Sequence, residues 1–281
     1  GTELPSLNVN LNEGNLFGTT KFILFRPVTR KYESEIFGAN LLRELNFLSP
    51  RTMMVDVKYN NVRRKFIFQE KIVKEFIEEL DYVENPLLEA DERYVFRELA
   101  AGHSFLVDEY RKLQKSRLVN KKIVLKDNSH LQNSIFGLSI LNEFKLRYFS
   151  ELSPYWILDY YSINNILYPD KNFFTKVPSF DSLMYVMNGT HGLASDERRF
   201  LFDPINEDFH PIYYDGDFGI FDKNKNFIPK FNYKDLNNQI SKVSFSFIDG
   251  ANEALKKIEK LNVKIFYNKL KKYGSKLTLA D

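Results

Sequence analysis

The chain has 281 residues, 43% hydrophobic and 27% charged, which is ordinary for a globular protein long enough to bury one large core or two small ones. A net charge of +3, with the basic clusters Arg63-Arg64-Lys65 and Lys269 to Lys272 reading as solvated faces, speaks against nucleic acid as a partner. The lack of cysteine excludes disulfides, Cys-based zinc sites and thiol nucleophiles and fits a reducing, cytoplasmic setting; no apolar run reaches the roughly 20 residues of a membrane span, and no signal peptide is read at the start.

The first ten residues are polar and read as irregular. Lys21 to Arg26 (KFILFR) reads as a strand stopped by Pro27. Glu33 to Asn46 reads as a helix, with Phe37, Leu41 and Leu45 recurring every fourth residue. Met53, Val55, Val57 and Tyr59 alternate with Met54, Asp56 and Lys58, the period of a half-buried strand. Asn60-Asn61 turns the chain, and Lys65 to Glu70 returns, so residues 52–70 form a hairpin. Lys71 to Leu80 follows as a charged amphipathic helix. Leu131 to Phe149, Tyr155 to Leu167 and Ser179 to Asn188 read as helices. Phe200 to Asp203 and His210 to Tyr214 are short strands, and the tail from Asp235 to Tyr273 is mainly helical. The class is α+β, with a small β-rich part followed by a larger, mainly helical one carrying an inserted hairpin. Ligands often bind between two such parts.

The chemistry concentrates in Asn188 to Gly219, which ends Tyr-Tyr-Asp-Gly-Asp-Phe-Gly. Asp215 and Asp217 follow an apolar strand, and in an extended chain their carboxylates point the same way. Two hard oxygen ligands suit Mg²⁺, which prefers one or two carboxylates plus substrate phosphates. Upstream, His191, Asp196 and Glu197 could meet the same point in space. His191 sits between Thr190 and Gly192, where it is a candidate general base or phosphate contact, or a cap on the preceding helix. Glu35 lies on the first helix, and a cation from Lys21, Arg26 or Arg30 could pair with it as kinases do to hold nucleotide phosphates. No P-loop, G-x-G-x-x-G, G-x-S-x-G or zinc-binding H-E-x-x-H occurs. Gly14 and Gly18 offer a sparser phosphate-covering turn.

Two blocks of the chain resemble CotH-type atypical protein kinases. The first runs from Tyr32 to Glu79: Glu35 in SEIFGANLLRELNFLSPRT, the strand MMVDVKYNN, then FIFQEKIVKEFIEE. The second is Asn188 to Gly219, where Asp215 and Asp217 stand at the family's final acidic pair. The resemblance implies a two-lobed, protein-kinase-like fold, with an N-lobe at residues 1–70 and a C-lobe at 71–281. It implies ATP and Mg²⁺ or Mn²⁺, with the adenine near Phe68 to Lys71 and Glu70 at the hinge. Lys21 or Arg26, paired with Glu35, would steady the phosphates. Asp215 and Asp217 would hold the metal, with Asp196 assisting. The acceptor would be a hydroxyl of a protein Ser or Thr, a glycan or a small molecule. The chain departs from the family where Thr190-His191 replaces the catalytic Asp and where Asp196 or Glu197 replaces the metal-binding Asn. His191 would then act on the acceptor hydroxyl. Two rival expectations follow: a non-catalytic nucleotide-binding scaffold on the same fold, and a metal-dependent phosphohydrolase built from Asp215, Asp217, His191 and Asp196.

Overall fold

The computed structural model describes residues 5–103, 115–151, 173–193, 197–221 and 250–279. The helix expected over Tyr155 to Leu167, the tail from 235 to 249 and Asp196 lie outside the described residues. Among those described, no helix is long and apolar enough to cross a membrane.

The first sheet is antiparallel. Its strands are β1 (Leu7–Asn10), β2 (Lys21–Phe25), β3 (Thr52–Tyr59) and β4 (Val62–Glu70), in the order β1-β2-β4-β3. The expected hairpin is β3–β4. Asn60 and Asn61 at its turn have φ of 46° and 63°, the left-handed pair that a two-residue hairpin turn requires and that Asn tolerates. Alternation gives the sheet two faces. Phe22 and Leu24 of β2, Met53 of β3 and Phe66 and Phe68 of β4 form one apolar face. Ile23, Gln69 and Thr52 stand in one row on the other. Two expectations need correcting. The N-terminal segment is not irregular throughout, because Leu7–Asn10 pairs with β2 along its whole length. The helix expected over Lys71 to Leu80 shortens to α2 (Lys74–Glu79), because the Lys71 N–H bonds to the Lys21 carbonyl and prolongs the strand edge. The loop holding Gly14 and Gly18 joins β1 to β2; in it Phe17 lies edge-on to Phe68 and its carbonyl accepts from Arg51.

Helix α1 (Glu33–Glu44) presents Ile36, Ala39 and Leu42, all fully buried. They share one core with Phe180, Leu183 and Met184 of α5 (Val177–Val186), with Phe266 and Leu270 of the C-terminal helix α7 (Val263–Lys272), and with Tyr213 and Phe218. Each such side chain contributes roughly 1.5–3 kcal/mol when removed from water. Helix α7 therefore returns to the start of the chain. Directly after it, the Tyr273 carbonyl accepts from the Met54 N–H on the free edge of β3. A helix over 250–259, here α6, precedes α7.

The second half holds more sheet than expected. Strands β5 (Leu87–Ala90), β6 (Ser116–Leu118), β7 (Arg199–Asp203) and β8 (Asp208–Ile212) form an antiparallel sheet in the order β6-β5-β7-β8. Only β7 and β8 were foreseen. Runs as short as β5 and β6 carry too few residues to display a period of two. Phe200, Phe202 and Phe209 pack with Leu88, Phe174, Val177 and Leu141, the last from the long helix α4 (Asn128–Glu151). Helix α3 (Arg93–Ala100) buries only Val95. The two sheets are tied by a parallel bridge between Leu48 and Ile212 and by the Tyr213 N–H bonding to the Leu48 carbonyl at 2.8 Å. That tie delivers the chain leaving β8 directly to α1.

Where it arrives, space is scarce. A Cβ on Gly38, in the middle of α1, would fall 2.3 Å from two carbons of the Phe218 ring. Gly38→Ala should therefore lower stability by about 1–3 kcal/mol through overpacking, although Ala is the better helix former by about 1 kcal/mol. Urea unfolding checks this, and in Gly38→Ala/Phe218→Leu the loss should be smaller than the sum of the single losses.

Candidate functional site

At the centre lies a carboxylate without water. Glu35 of α1 is 1% exposed. One oxygen accepts from Gln69 Nε2 at 2.9 Å and the other from the Tyr213 hydroxyl at 2.7 Å. Burial pushes its carboxyl above the usual range. Those two hydrogen bonds and the nearby Arg30 guanidinium oppose the rise, while Asp217 adds to it. The same Tyr213 oxygen accepts from the Gly216 N–H at 3.2 Å. Burial and the neighbouring Glu35 drive the Tyr213 phenol well above its ordinary value, so it stays a donor. The Tyr213 ring stacks on Phe218 at 4.9 Å and 10°.

Asp215-Gly216-Asp217 is thus held between two anchored aromatics. The segment is not extended: Asp215 and Asp217 have φ of 39° and 51°. Left-handed backbone at non-glycine residues costs roughly 1–3 kcal/mol and persists where surrounding contacts over-determine it. The twist sends the two carboxylates to different cations. Asp215 is ion-paired with Arg30, at the end of the 3-10 turn Pro27–Arg30. Asp217 pairs with Lys31 at 2.7 Å, and Lys31 also donates to the Asp217 carbonyl at 2.9 Å. The Arg30 guanidinium lies over the Phe25 ring at 4.2 Å. Ser6, Phe25, Thr29, Arg30, His191, Asp215 and Asp217 line an open cleft of about 530 Å³.

A second loop closes on this segment. His191 and Gly192 lie in the 3-10 turn Thr190–Leu193. A Cβ on Gly192 would sit 2.7 Å from the Tyr214 carbonyl oxygen and 3.1 Å from Gly216 Cα, so only glycine permits the approach. The imidazole Nε2 of His191 is 3.7 Å from a Glu197 carboxylate oxygen. His191, Glu197 and Asp215 each offer one ligand atom, and all three atoms lie within 4.8 Å of one another. The partner brought to Asp215 is therefore Glu197, with Asp217 turned to Lys31. One imidazole nitrogen and two carboxylate oxygens make a donor set that fits a divalent cation.

The residues expected to hold nucleotide divide. Glu35 is at the centre, and of the three candidate cations Arg30 is the one whose charge acts on it. Lys21 is exposed on β2 and pairs across the sheet with Asn10. Arg26 stands just before the 3-10 turn. Neither lines the cleft. Glu70 is buried in a separate knot. It accepts from Arg43 at 2.9 Å and from the Arg51 N–H at 2.6 Å, and Glu79 binds the same two guanidinium groups. Burial raises its carboxyl above the usual range against the pull of Arg43 and Arg51. Glu70 thus ties β4, α1 and α2 together and faces no cavity shared with Asp215. Unforeseen were Tyr213, Gln69, Phe218 and Lys31. The only hint of Tyr213 was an aromatic pair directly before the acidic segment.

Fold and site together define an α+β protein with a charged cleft built around a buried glutamate. No protein-family model matches the chain, and no curated protein matches it.

One more buried pair supports the cleft from below. Asp181 of α5 takes both forks of Arg198 at 2.8 and 2.7 Å, and Arg198 Nε donates to the Leu193 carbonyl at 3.1 Å. This fixes the His191 turn to the start of β7. Burial raises the Asp181 carboxyl to about 6 despite Arg198. Asp181→Ala should cost about 3–5 kcal/mol by leaving a buried guanidinium unpaired, while Asp181→Leu/Arg198→Met should recover most of that. A raised carboxyl contributes stability that is complete below the unfolded value of 3.8 and lost as pH rises through about 6. Wild-type unfolding free energy should therefore fall between those two values relative to Asp181→Asn, read by urea titration at stepped pH.

Proposed function

We propose that the chain is an ATP-dependent phosphotransferase of the CotH kinase-like type, moving the γ-phosphate of ATP to a hydroxyl of a protein, glycan or small-molecule acceptor. The observation that carries this reading is the docking of Asp215-Gly-Asp-Phe-Gly on the helix that bears Glu35. Arg30 is ion-paired with Asp215 and acts on Glu35 through its charge, and Phe218 packs against Gly38. Protein kinases make a related connection: a helix glutamate and a strand-side cation hold the phosphates, an Asp-Phe-Gly segment supplies the metal-binding carboxylate, and the Phe packing sets the active arrangement. Here the Asp of Asp-Phe-Gly, Asp217, is paired with Lys31, and Asp215 two residues earlier is the carboxylate that stands with His191 and Glu197. In this reading residues 1–70 form the N-lobe and 71–281 the C-lobe.

Each residue then has a task. Arg30 is fixed by Phe25 and Asp215, so its remaining donors meet phosphate oxygens without reordering. Glu35, with Tyr213 and Gln69, keeps α1 at the height that places Arg30. Lys31 holds Asp217 at the rim. His191 and Glu197 face the same point as Asp215; a ring nitrogen that would hold the cation cannot also take a proton, so His191 is assigned to the metal and not to the acceptor hydroxyl. Asp215, Glu197 and His191 would hold a divalent cation, which would supply neutralisation of phosphate charge. Burial raises the phenol of Tyr214, beside Arg199 and Glu197, which keeps a neutral surface next to the centre.

One observation favours a second reading. A three-residue cluster of His191, Glu197 and Asp215 also suits a metal-dependent phosphohydrolase. Phosphate release without an acceptor and without nucleotide preference would select it, and ATP binding without turnover would select the scaffold.

Thermal unfolding with ATP, with and without Mg²⁺ or Mn²⁺, tests the first reading. A ligand at about 100 times its Kd adds about 2.7 kcal/mol to the folded state. The wild type should rise in Tm only with metal and nucleotide together, and Asp215→Asn should lose most of the rise. A wild type that no nucleotide shifts at millimolar concentration would sink the proposal.

A further inference from the structure

The ligand atoms of His191, Glu197 and Asp215 come from three stretches of chain, each fixed by its own buried contact. The His191 turn is pressed on the acidic segment at Gly192. Glu197 directly precedes Arg198, which is locked to Asp181 and to the Leu193 carbonyl. Asp215 lies between the Tyr213 phenol and Gly216, whose N–H that phenol accepts. The three atoms therefore converge without any substrate to gather them.

Ligands about 2.1 Å from one octahedral cation are separated by about 3 Å in cis positions and by about 4.2 Å in trans. The 3.7 Å between His191 Nε2 and the Glu197 oxygen already falls in that range. The widest separation allowed within the cluster, 4.8 Å, exceeds it by less than a side-chain rotation covers.

Donor chemistry then selects the ion. Mg²⁺ is hard, dehydrates reluctantly, and is ordinarily held by one or two carboxylates together with the phosphates that accompany it. Imidazole binds later first-row ions better, while carboxylates and water suit Mn²⁺. The chain has no cysteine to draw softer ions. One imidazole with two carboxylates suits a first-row dication that keeps open octahedral places.

We propose that this cluster is a resident transition-metal site that prefers Mn²⁺ to Mg²⁺ and fills before nucleotide arrives. The use of that metal in phosphoryl transfer rests on the function proposed above; its binding does not. In a kinase-like site with oxygen ligands alone, metal enters with ATP. Here it precedes ATP.

The experiment titrates Mn²⁺ alone into the full chain and follows free Mn²⁺ by electron paramagnetic resonance, with Mg²⁺ as competitor and circular dichroism as the folding check. The expected result is one Mn²⁺ per chain without nucleotide. Mg²⁺ should compete only at a large excess. His191→Gln and Glu197→Gln should each weaken binding by about tenfold or more, since even outer-shell changes at metal sites cost that much. Asp217→Asn should leave binding unchanged, because its carboxylate is not among the three groups that converge, whereas Asp215, although ion-paired with Arg30, is. Equal competition by Mg²⁺, wild-type affinity in His191→Gln, or dependence on Asp217 instead of His191 would each overturn the proposal. If the proposal is overturned but Mg-ATP still raises Tm, the phosphotransfer reading survives it. If Mn²⁺ binds as described and no nucleotide does, the metal site stands and phosphotransfer falls.

Discussion

The carboxylate of Glu35 is the constraint on which the rest of the cleft depends. A carboxyl taken out of water is tolerated only when its oxygens are met by well-placed hydrogen-bond partners. Gln69 reaches it from β4, the Tyr213 hydroxyl from the chain beyond β8, and Arg30 acts on it from the turn before α1. Three separate parts of the chain must therefore be in register before Glu35 can be buried. Such a network is worth having only when every member is satisfied, since in a low-dielectric setting one missing donor costs more than it would in water. Tyr213 is the pivot. It donates to Glu35, accepts from Gly216 and stacks on Phe218, so the acidic segment and the helix are positioned by a single side chain.

Charge in the cleft is divided in a way that suits phosphate chemistry. Asp215 and Asp217 line the cleft together with Arg30, Glu197 stands close to Asp215, and Lys31 holds Asp217. Arg30 lines the cleft itself, where an anionic ligand would meet it. It is the partner of Asp215 and acts on Glu35 through its charge. A phosphate group arriving there would share a guanidinium that is already oriented, so little side-chain entropy would be lost on binding.

Much of the fold was legible because its signals are local. The β3–β4 hairpin announces itself through alternation and an Asn-Asn turn, and α1 through its fourth-residue repeat. The β1 strand was missed because Leu7 and Val9 alternate with Asn8 and Asn10 over only four residues, too few to stand out, and pairing with β2 is what holds it. Strands β5 and β6 are too short to show a period. In the site, His191, Glu197 and Asp215 were readable as one group because they lie within a single short stretch of sequence. The choice of cation was not. Lys21, Arg26 and Arg30 are equivalent on paper, and what separates them is the 3-10 turn at Pro27–Arg30, which carries Arg30 around to Asp215 while Lys21 stays at the far end of β2. The link from Glu35 to Tyr213 spans 178 residues and has no local signature at all. The resemblance put Glu70 at a hinge. Its partners Arg43 and Arg51 depend on how α1 and β3 pack and have no local signature.

The claim that Arg30, paired with Asp215 and acting on Glu35 through its charge, is the phosphate-holding cation is tested most directly by equilibrium dialysis of ATP, with Mn²⁺ present, against wild type and Arg30→Gln. Wild type should bind ATP, and the variant, folded by circular dichroism, should bind about tenfold more weakly or worse, the loss expected for one charge-assisted hydrogen bond to phosphate. Equal ATP affinity in the two proteins, or no ATP binding by wild type, would contradict the account.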